Sequence, residues 1–114
     1  MAFVPSRGDY IWIDLNPKLG REQAKRRPLL VLTPKSYNSK TGMLVGLPIT
    51  SKVKGFPFEC SLPSGEAVSG AVLVNQVRSL DWTARNATKI GEASNDVRYL
   101  ALDLLASLVG FDDE

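Results

Sequence analysis

Residues 28–33 read Pro-Leu-Leu-Val-Leu-Thr and stop at Pro34, and this short apolar run decides the fold class. An apolar run of about four to eight residues between turn signals is typical of a strand that is buried on both faces. Residues 10–15, Tyr-Ile-Trp-Ile-Asp-Leu, combine aromatic and β-branched side chains and predict a second strand, which Asn16-Pro17 ends. We therefore expect a fold built on a β-sheet.

Turn residues divide the middle of the chain into further short elements. The predicted elements are a turn at residues 36–42 and strands at residues 43–47, 56–62, 70–80 and 87–91. Pro57 lacks the N–H group that a central strand needs, so its strand is expected at a sheet edge or with a bulge. Many short strands separated by turns are typical of a small barrel or sandwich.

The pattern changes near the C-terminus, where apolar residues recur at helical spacing. They are Val97, Leu100, Ala101, Leu104, Leu105 and Leu108. Together they would line one face of an α-helix. Ser94 or Asn95 can cap its start, and Gly110 can end it. We expect this helix to cover the open side of the barrel.

These elements place the chain in the mainly β, α+β class, with one domain over residues 1–110 and an acidic tail at 111–114. A chain of 114 residues has room for one hydrophobic core. No apolar run is long enough to cross a bilayer, and the first residues show no secretory signal. Cys60 is the only cysteine and cannot form an internal disulfide, so the expected location is the cytoplasm, with no membrane contact.

Positive charge is concentrated in the first half of the chain. The basic residues there are Lys18, Arg21, Lys25, Arg26, Arg27, Lys35, Lys40, Lys52 and Lys54. Glu22 is the only acid between residues 18 and 54. Such a local excess attracts phosphate groups or an acidic partner. Residues 18–27 show no apolar period and are predicted to form a polar loop that carries much of this charge.

The missing residue types exclude several kinds of site. The chain has no histidine, which excludes a Ser-His-Asp triad, a histidine-based ribonuclease mechanism and a zinc site with histidine ligands. One cysteine excludes a zinc site made of cysteines alone. The carboxylates are too scattered to indicate a metal clamp by spacing, although folding could still unite them. We expect neither a metal ion nor another cofactor.

Arg27, Glu22 and Thr50 carry the groups that RNA cleavage without a metal ion would need, although their spacing alone does not indicate a nuclease. Such a reaction needs a group that takes the 2′-hydroxyl proton, a donor for the leaving oxygen, and positive charge on the phosphate. Arg27 suits the phosphate because a guanidinium binds its oxygens bidentately. Glu22 could accept a proton, and Thr50 could donate a hydrogen bond from a strand end. Ordinary interpretations stay open, namely a pairing of Arg27 with Glu22 or solvent, and a Thr50 hydroxyl bonded to backbone.

The tryptophans and the cysteine favour structural roles. Trp12 and Trp82 are expected in the core or in dimer packing rather than stacked on bases. Cys60 lies in an alternating segment and is expected to be a small buried hydrophobe rather than a nucleophile.

Three groups of motifs, between residues 8 and 82, occur in a recognisable order, and the resemblance they carry extends over about residues 5–110. The first group is residues 8–17 (Gly-Asp-Tyr-Ile-Trp-Ile-Asp-Leu-Asn-Pro), 20–24 (Gly-Arg-Glu-Gln-Ala) and 27–32 (Arg-Pro-Leu-Leu-Val-Leu). The second is residues 37–38, 40–43, 48–51 (Pro-Ile-Thr-Ser) and 54–59 (Lys-Gly-Phe-Pro-Phe-Glu), and the third is residues 75–82 (Asn-Gln-Val-Arg-Ser-Leu-Asp-Trp). This series resembles the MazF/PemK family of toxin endoribonucleases.

The resemblance implies a seven-stranded, SH3-like barrel of the MazF/CcdB type that works as a homodimer. It implies sequence-selective cleavage of single-stranded RNA, chiefly mRNA, by the toxin of a type II toxin–antitoxin system. The family's products carry a cyclic phosphate and a 5′-hydroxyl. An antitoxin similar to MazE or PemI, with an acidic disordered segment, would wrap the dimer and block its RNA groove.

The resemblance also implies functional roles for individual residues. The family's catalytic arginine falls on Arg27, its catalytic threonine on Thr50, and the acid of its first loop on Glu22. RNA contacts are further expected from Gln23, Lys25, Arg26, Ser51, Lys52, Asn75 and Gln76. Many members have an acid where this chain has Asn75. If that acid helps to read a base, the preferred RNA sequence of this chain differs.

Two other functions stay open at this point. Toxins of the CcdB type share the barrel but poison DNA gyrase through C-terminal residues, and residues 111–114, Phe-Asp-Asp-Glu, do not match them. A non-catalytic RNA-binding barrel would use the basic loop for affinity alone.

Overall fold

The computed structural model describes residues 3–15 and 26–110. The strands are β1 (Asp9–Asp14), β2 (Arg26–Val31), β3 (Leu44–Thr50), β4 (Glu59–Ser61), β5 (Ala71–Leu73), β6 (Arg78–Leu80) and β7 (Thr88–Glu92). The helices are α1 (Lys35–Thr41) and α2 (Asn95–Val109), with 3-10 turns at Val74–Gln76 and Trp82–Ala84. The predicted mainly β fold with a C-terminal helix is confirmed.

The seven strands form one antiparallel sheet in which β3 has a central place. The strand order is β4-β5-β3-β2-β1-β7, and β6 also pairs with β3. One edge of β3 pairs with β2, while its other edge pairs with β6 near Leu44 and with β5 near Thr50. The last residues of β3 therefore lie beside the start of β2 and the start of β5.

Both faces of the sheet are buried, each against its own apolar cluster. The first cluster contains Tyr10, Leu30, Leu47, Ile49, Cys60, Val72, Val74, Ala93, Val97 and Ala101. The second contains Ile11, Ile13, Leu15, Leu29, Val31, Leu44 and Leu80. Successive residues of a strand point to opposite faces, so a strand buried on both faces is apolar at nearly every position. This explains the continuous apolar run in β2, and the buried position predicted for Cys60 is confirmed.

Helix α2 begins and ends as the sequence predicts. The Ser94 hydroxyl accepts the Val97 N–H at 3.3 Å, and Gly110 follows the last turn. Only part of the predicted apolar face is covered, because the helix packs through Val97 and Ala101 while Leu100 and Leu108 are 58% and 50% exposed. In residues 3–15 and 26–110, no helix is long and apolar enough to cross a lipid bilayer.

The turn predicted at residues 36–42 is wrong, because most of this segment belongs to α1. Asn38 is fully buried and donates to the carbonyls of Pro5 and Thr33 at 2.8 and 3.0 Å. Gly42 ends the helix with a φ of 71°, in the left-handed region that glycine favours. The helix is held by these tertiary contacts, which local sequence does not reveal.

All predicted strands are shifted at their ends, β2 by two residues into the predicted loop at 18–27, and three strands differ more strongly. The strand expected at 43–47 continues through Pro48 to Thr50. The strand expected at 56–62 is reduced to Glu59–Ser61, because a turn with a bond from the Glu59 N–H to the Phe56 carbonyl precedes it. The strand expected at 70–80 is divided into β5 and β6 by a 3-10 turn.

Candidate active site

Arg27 and Thr50 lie at the same end of two neighbouring strands. In the β2–β3 ladder Leu29 pairs with Pro48 and Leu30 with Leu47. Extending this antiparallel register by two residues brings Arg27 opposite Thr50, with both side chains on the face that Leu29 and Pro48 share. The register of the two strands therefore places the two residues that the family resemblance selects at the same sheet edge.

Three cavities that share lining residues form a groove along this end of the sheet, called the strand-end groove below. The largest, about 590 Å³, is lined by Trp12, Arg27, Ser51 and Val68 among others. A middle cavity of about 280 Å³ has Arg27 and Gln76 in its lining. The third, about 220 Å³, continues from Gln76 to Thr50 and Lys52. A chain-like ligand could follow this groove past both Arg27 and Thr50.

The two arginines that open β2 are engaged differently. The Arg26 guanidinium donates to the Asn86 carbonyl at 2.9 Å and to the Thr88 hydroxyl at 2.8 Å, and lies 3.6 Å from an Asp14 carboxylate oxygen. Within the described ranges 3–15 and 26–110, no hydrogen bond or ion pair engages the Arg27 guanidinium. Arg27 can therefore bind an anion without first breaking a contact to residues 3–15 or 26–110.

The Thr50 hydroxyl is oriented by backbone. It accepts the Lys52 N–H at 3.0 Å, so the predicted hydroxyl–backbone bond is confirmed. A hydroxyl has two acceptor lone pairs and one hydrogen to donate. Accepting from Lys52 fixes the oxygen and leaves its hydrogen available for a phosphate oxygen, so the structural and the functional interpretations of Thr50 are compatible.

The segment after Thr50 combines basic and aromatic side chains. The Glu59 carboxylate accepts the N–H groups of Lys54 and Gly55 at 3.0 and 2.8 Å, which fixes the turn. The Phe56 and Phe58 rings stack with centroids 5.2 Å apart. Both rings line the Thr50 end of the groove with Lys54. Aromatic platforms beside positive charge are typical of single-stranded nucleic-acid sites.

The sequence does not predict a site on this aromatic segment, because the alternation at residues 56–62 favours a strand. The interleaving of Lys52 and Lys54 with Phe56 and Phe58 was the available signal.

The predicted RNA-contacting residues are only partly brought together. Ser51 and Arg26 line the Trp12 end of the groove, and Lys52 and Gln76 line the Thr50 end. Asn75 is exposed on the same 3-10 turn as Gln76 but belongs to the lining of none of these three cavities. Glu22, Gln23 and Lys25 lie outside the described residues, as does the acidic tail at 111–114.

The two tryptophans have different surroundings. Trp82 packs against the second apolar cluster and donates its indole N–H to the Asn38 carbonyl at 3.0 Å. This agrees with the core packing predicted for Trp82. Core packing is wrong for Trp12, which is 41% exposed in the groove. Tyr10, on the same face of β1, is fully buried, so no sequence pattern distinguishes the two positions.

Comparison with known proteins decides the family. A sequence profile of the family described as "PemK-like, MazF-like toxin of type II toxin-antitoxin system" matches residues 6–108. The chain belongs to this family. It is 44% identical over 108 residues to "Endoribonuclease toxin MazF" of Escherichia coli (strain K12), covering 95% of this chain and 96% of that protein.

Solved structures agree with this membership of the PemK/MazF-like toxins. The MazF of the MazE-MazF crystal structure (Form-II) from Deinococcus radiodurans matches with a TM-score of 0.90 and 44% identity, covering 97% of this chain and all of that chain. MazF alone (Form-I) from the same organism gives 0.87, with 96% and 100% covered. The predicted MazF-type barrel is confirmed, and neither these matches nor the profile supports a gyrase-directed toxin of the CcdB type.

In this PemK/MazF-like chain, one wall of the strand-end groove is tied to the core by Glu66. The Tyr10 hydroxyl donates to the Glu66 carboxylate at 2.5 Å. Burial, then this hydrogen bond and the Glu66 charge, raise the pKa of the Tyr10 phenol well above its usual range. Burial pulls the pKa of Glu66 upward, but hydrogen bonds from Tyr10 and Ser94 outweigh it and lower that pKa.

The raised pKa of Tyr10 predicts a loss of stability in alkali. Above pH 10 the unfolded chain releases the phenol proton while the folded chain keeps it, so the free energy of unfolding falls as pH rises. The loss approaches about 1.4 kcal/mol per pH unit. Denaturant unfolding of wild type and Tyr10→Phe should show this extra alkaline loss in the wild type alone. Parallel curves for the two proteins would contradict the assignment.

Metal-binding groups do not gather in the part of the chain that the structure describes. Across residues 3–15 and 26–110, no three histidine, cysteine, aspartate or glutamate side chains are placed to hold a metal ion. Independence from metal ions stays a prediction, which a chelator can test.

Proposed function

We propose that this chain is the toxin of a type II toxin–antitoxin system and a sequence-specific, metal-independent endoribonuclease. Its substrate is single-stranded RNA, mainly mRNA, whose loss stops translation and growth. The observation that carries the proposal is that Arg27 and Thr50 both line one continuous groove that also presents lysines and aromatic rings. The printed names of the E. coli relatives MazF and ChpB, both called endoribonuclease toxins, support it.

The reaction is attack by a ribose 2′-oxygen on the adjacent phosphorus. The new P–O bond closes a 2′,3′-cyclic phosphate, the bond from phosphorus to the 5′-oxygen breaks, and that oxygen leaves as a hydroxyl after taking a proton from solvent water. Arg27 holds two phosphate oxygens and offsets the growing negative charge. Thr50 donates its hydroxyl hydrogen to a phosphate oxygen. Glu22 is the candidate acceptor for the 2′-hydroxyl proton, because the Arg27 guanidinium is a poor base.

The remaining groove residues bind RNA on either side of the cut. Ser51 and Arg26 serve the Trp12 end, and Lys52 and Gln76 the Thr50 end. Gln23, Lys25 and Asn75 add contacts in the same proposal. Lysine and arginine charge supplies affinity for any RNA, whereas amide side chains can read base edges.

The proposal includes two protein partners. One is an acidic antitoxin similar to MazE, supported by the MazE-MazF complex of the Deinococcus relative. The other is a second copy of this chain, supported by the apolar side chains that α2 leaves exposed, namely Tyr99, Leu100, Leu102, Leu108 and Val109. Exposed apolar surface of this kind marks protein interfaces. We place the protein in the cytoplasm, where mRNA and antitoxin are available.

Cleavage should persist in excess EDTA, because the charges on Arg27 and the hydroxyl of Thr50 replace the metal ion. The assay uses single-stranded RNA, with the same RNA annealed to its complement as a control that should resist cutting. Products should carry a cyclic phosphate and a 5′-hydroxyl. Activity restored only by added divalent ions, or equal cutting of the duplex, would refute the proposal.

A further inference from the structure

The loop between β4 and β5, residues 62–70, forms one wall of the strand-end groove. Ala67, Val68 and Ser69 line the same cavity as Trp12 and Arg27. A ligand that fills this cavity therefore contacts the loop on one side and the sheet on the other.

Among residues 3–15 and 26–110, the Glu66 carboxylate supplies the side-chain hydrogen bonds that connect this loop to the rest of the fold. Glu66 accepts the Tyr10 hydroxyl of β1 at 2.5 Å and the Ser94 N–H at the start of α2 at 3.3 Å. Two backbone hydrogen bonds of the loop, from the Leu62 N–H to the Gly70 carbonyl and from the Glu66 N–H to the Pro63 carbonyl, are internal to it. Glu66 thus links the loop to two elements that the core holds rigid.

Two glycines let the loop lie close to the sheet. A Cβ at Gly91 of β7 would be 2.7 Å from the Ala67 Cβ. A Cβ at Gly70 would be 2.0 Å from the Thr50 carbonyl oxygen. Glu66 directly precedes the first of these close approaches, so its bonds help to fix the position of Ala67, Val68 and Ser69 over the groove.

We propose that Glu66 is a positioning residue for RNA binding, holding the β4–β5 loop as a preformed wall of the groove. The inference rests on the proposed ribonuclease function. Without the Glu66 bonds the loop is held by the packing of Leu62 and Val68 on the first apolar cluster, so RNA binding has to order more of the loop, and that cost lowers affinity. Arg27 and Thr50 belong to β2 and β3, so the chemical step itself should be spared.

Kinetics of the full-length protein on single-stranded RNA test this role. Glu66→Ala should raise KM by roughly tenfold while kcat stays within about twofold, because binding is lost equally from ground and transition states. The KM of Glu66→Gln should lie between those of Glu66→Ala and wild type, since the glutamine amide oxygen can still accept both hydrogen bonds. Tyr10→Phe should raise KM as well.

The direction of the change separates positioning from charge. Removing a carboxylate near an RNA site lessens repulsion, so a purely electrostatic effect would lower KM. Glu92→Gln is the matched control, because Glu92 is 73% exposed on β7 and pairs with Lys89 outside the groove lining. Its KM should equal that of wild type or fall slightly.

Hydrogen exchange supplies the structural readout. In Glu66→Ala, amides of the β4–β5 loop should exchange faster, while those of β1 and α2 keep their protection. Unchanged loop exchange, or faster loop exchange with an unchanged KM, would overturn the positioning role. Inactive wild-type protein would instead overturn the proposed function, so the two failures are distinguishable.

Discussion

Replacing Arg27 with alanine should lower the rate of RNA cleavage by about 100-fold or more, the usual scale for losing a preorganised charge. RNA binding should weaken much less, because the lysines around the groove remain. Arg27→Lys should recover only part of the rate, since an ammonium group cannot hold two phosphate oxygens in a planar fork. Single-turnover cleavage and a separate binding measurement check both statements.

Thr50→Val provides an independent test of the site assignment, at the end of the strand next to β2. It preserves shape but removes the hydroxyl, so a loss of about 100-fold is again expected, with Thr50→Ser partly active. Arg7→Ala is the control for loss of an arginine, because Arg7 bonds the Leu32 carbonyl away from the groove. Full activity of Arg27→Ala would show that the site has been assigned to the wrong residues.

Gly70→Ala should be the most destabilising single change at the site, costing about 4 kcal/mol of unfolding free energy. Gly70 has a φ of +120°, and its new methyl group would lie 2.0 Å from the Thr50 carbonyl oxygen. Relieving this steric clash requires β5 to move away from β3 at the point where Thr50 pairs with Ala71. Denaturant unfolding measures the loss, and cleavage by the folded fraction should fall as Thr50 shifts.

Gly65→Ala separates backbone strain from collision. Gly65 also has a positive φ, +97°, but a Cβ there meets nothing within 4 Å. Its cost should be that of strain alone, about 1–2 kcal/mol. Equal losses in the two variants would mean that the close approach of Gly70 to β3 does not matter.

The strongly patterned elements could be predicted from the sequence. These are the apolar run of β2, the aromatic run of β1 and the helical spacing of α2. In each, the period and length of the apolar pattern show which faces are buried, and this is enough to predict the element. Helix α1 could not be predicted, because it depends on Asn38 and its bonds to Pro5 and Thr33. The prediction that residues 1–110 form one domain remains untested.

The site was predicted less completely than the fold. Arg27 and Thr50 came from the family resemblance, and strand register supplies the physical reason that they meet. Whether Trp12 is exposed depends on how far other elements cover this face of the sheet, and no local sequence pattern predicts that. Glu66 reaches Tyr10 across a wide gap in sequence, so only the folded chain reveals that contact.

Cys60, the only cysteine, gives the protein an internal probe for the opening of its C-terminal helix. Cys60 is 8% exposed on β4 and lines a cavity together with residues of α2. Burial raises the pKa of the Cys60 thiol, which keeps it protonated and slow to react while the helix is in place. Alkylation rates would then report how often α2 lifts from the sheet, and whether a bound antitoxin or second copy slows that opening.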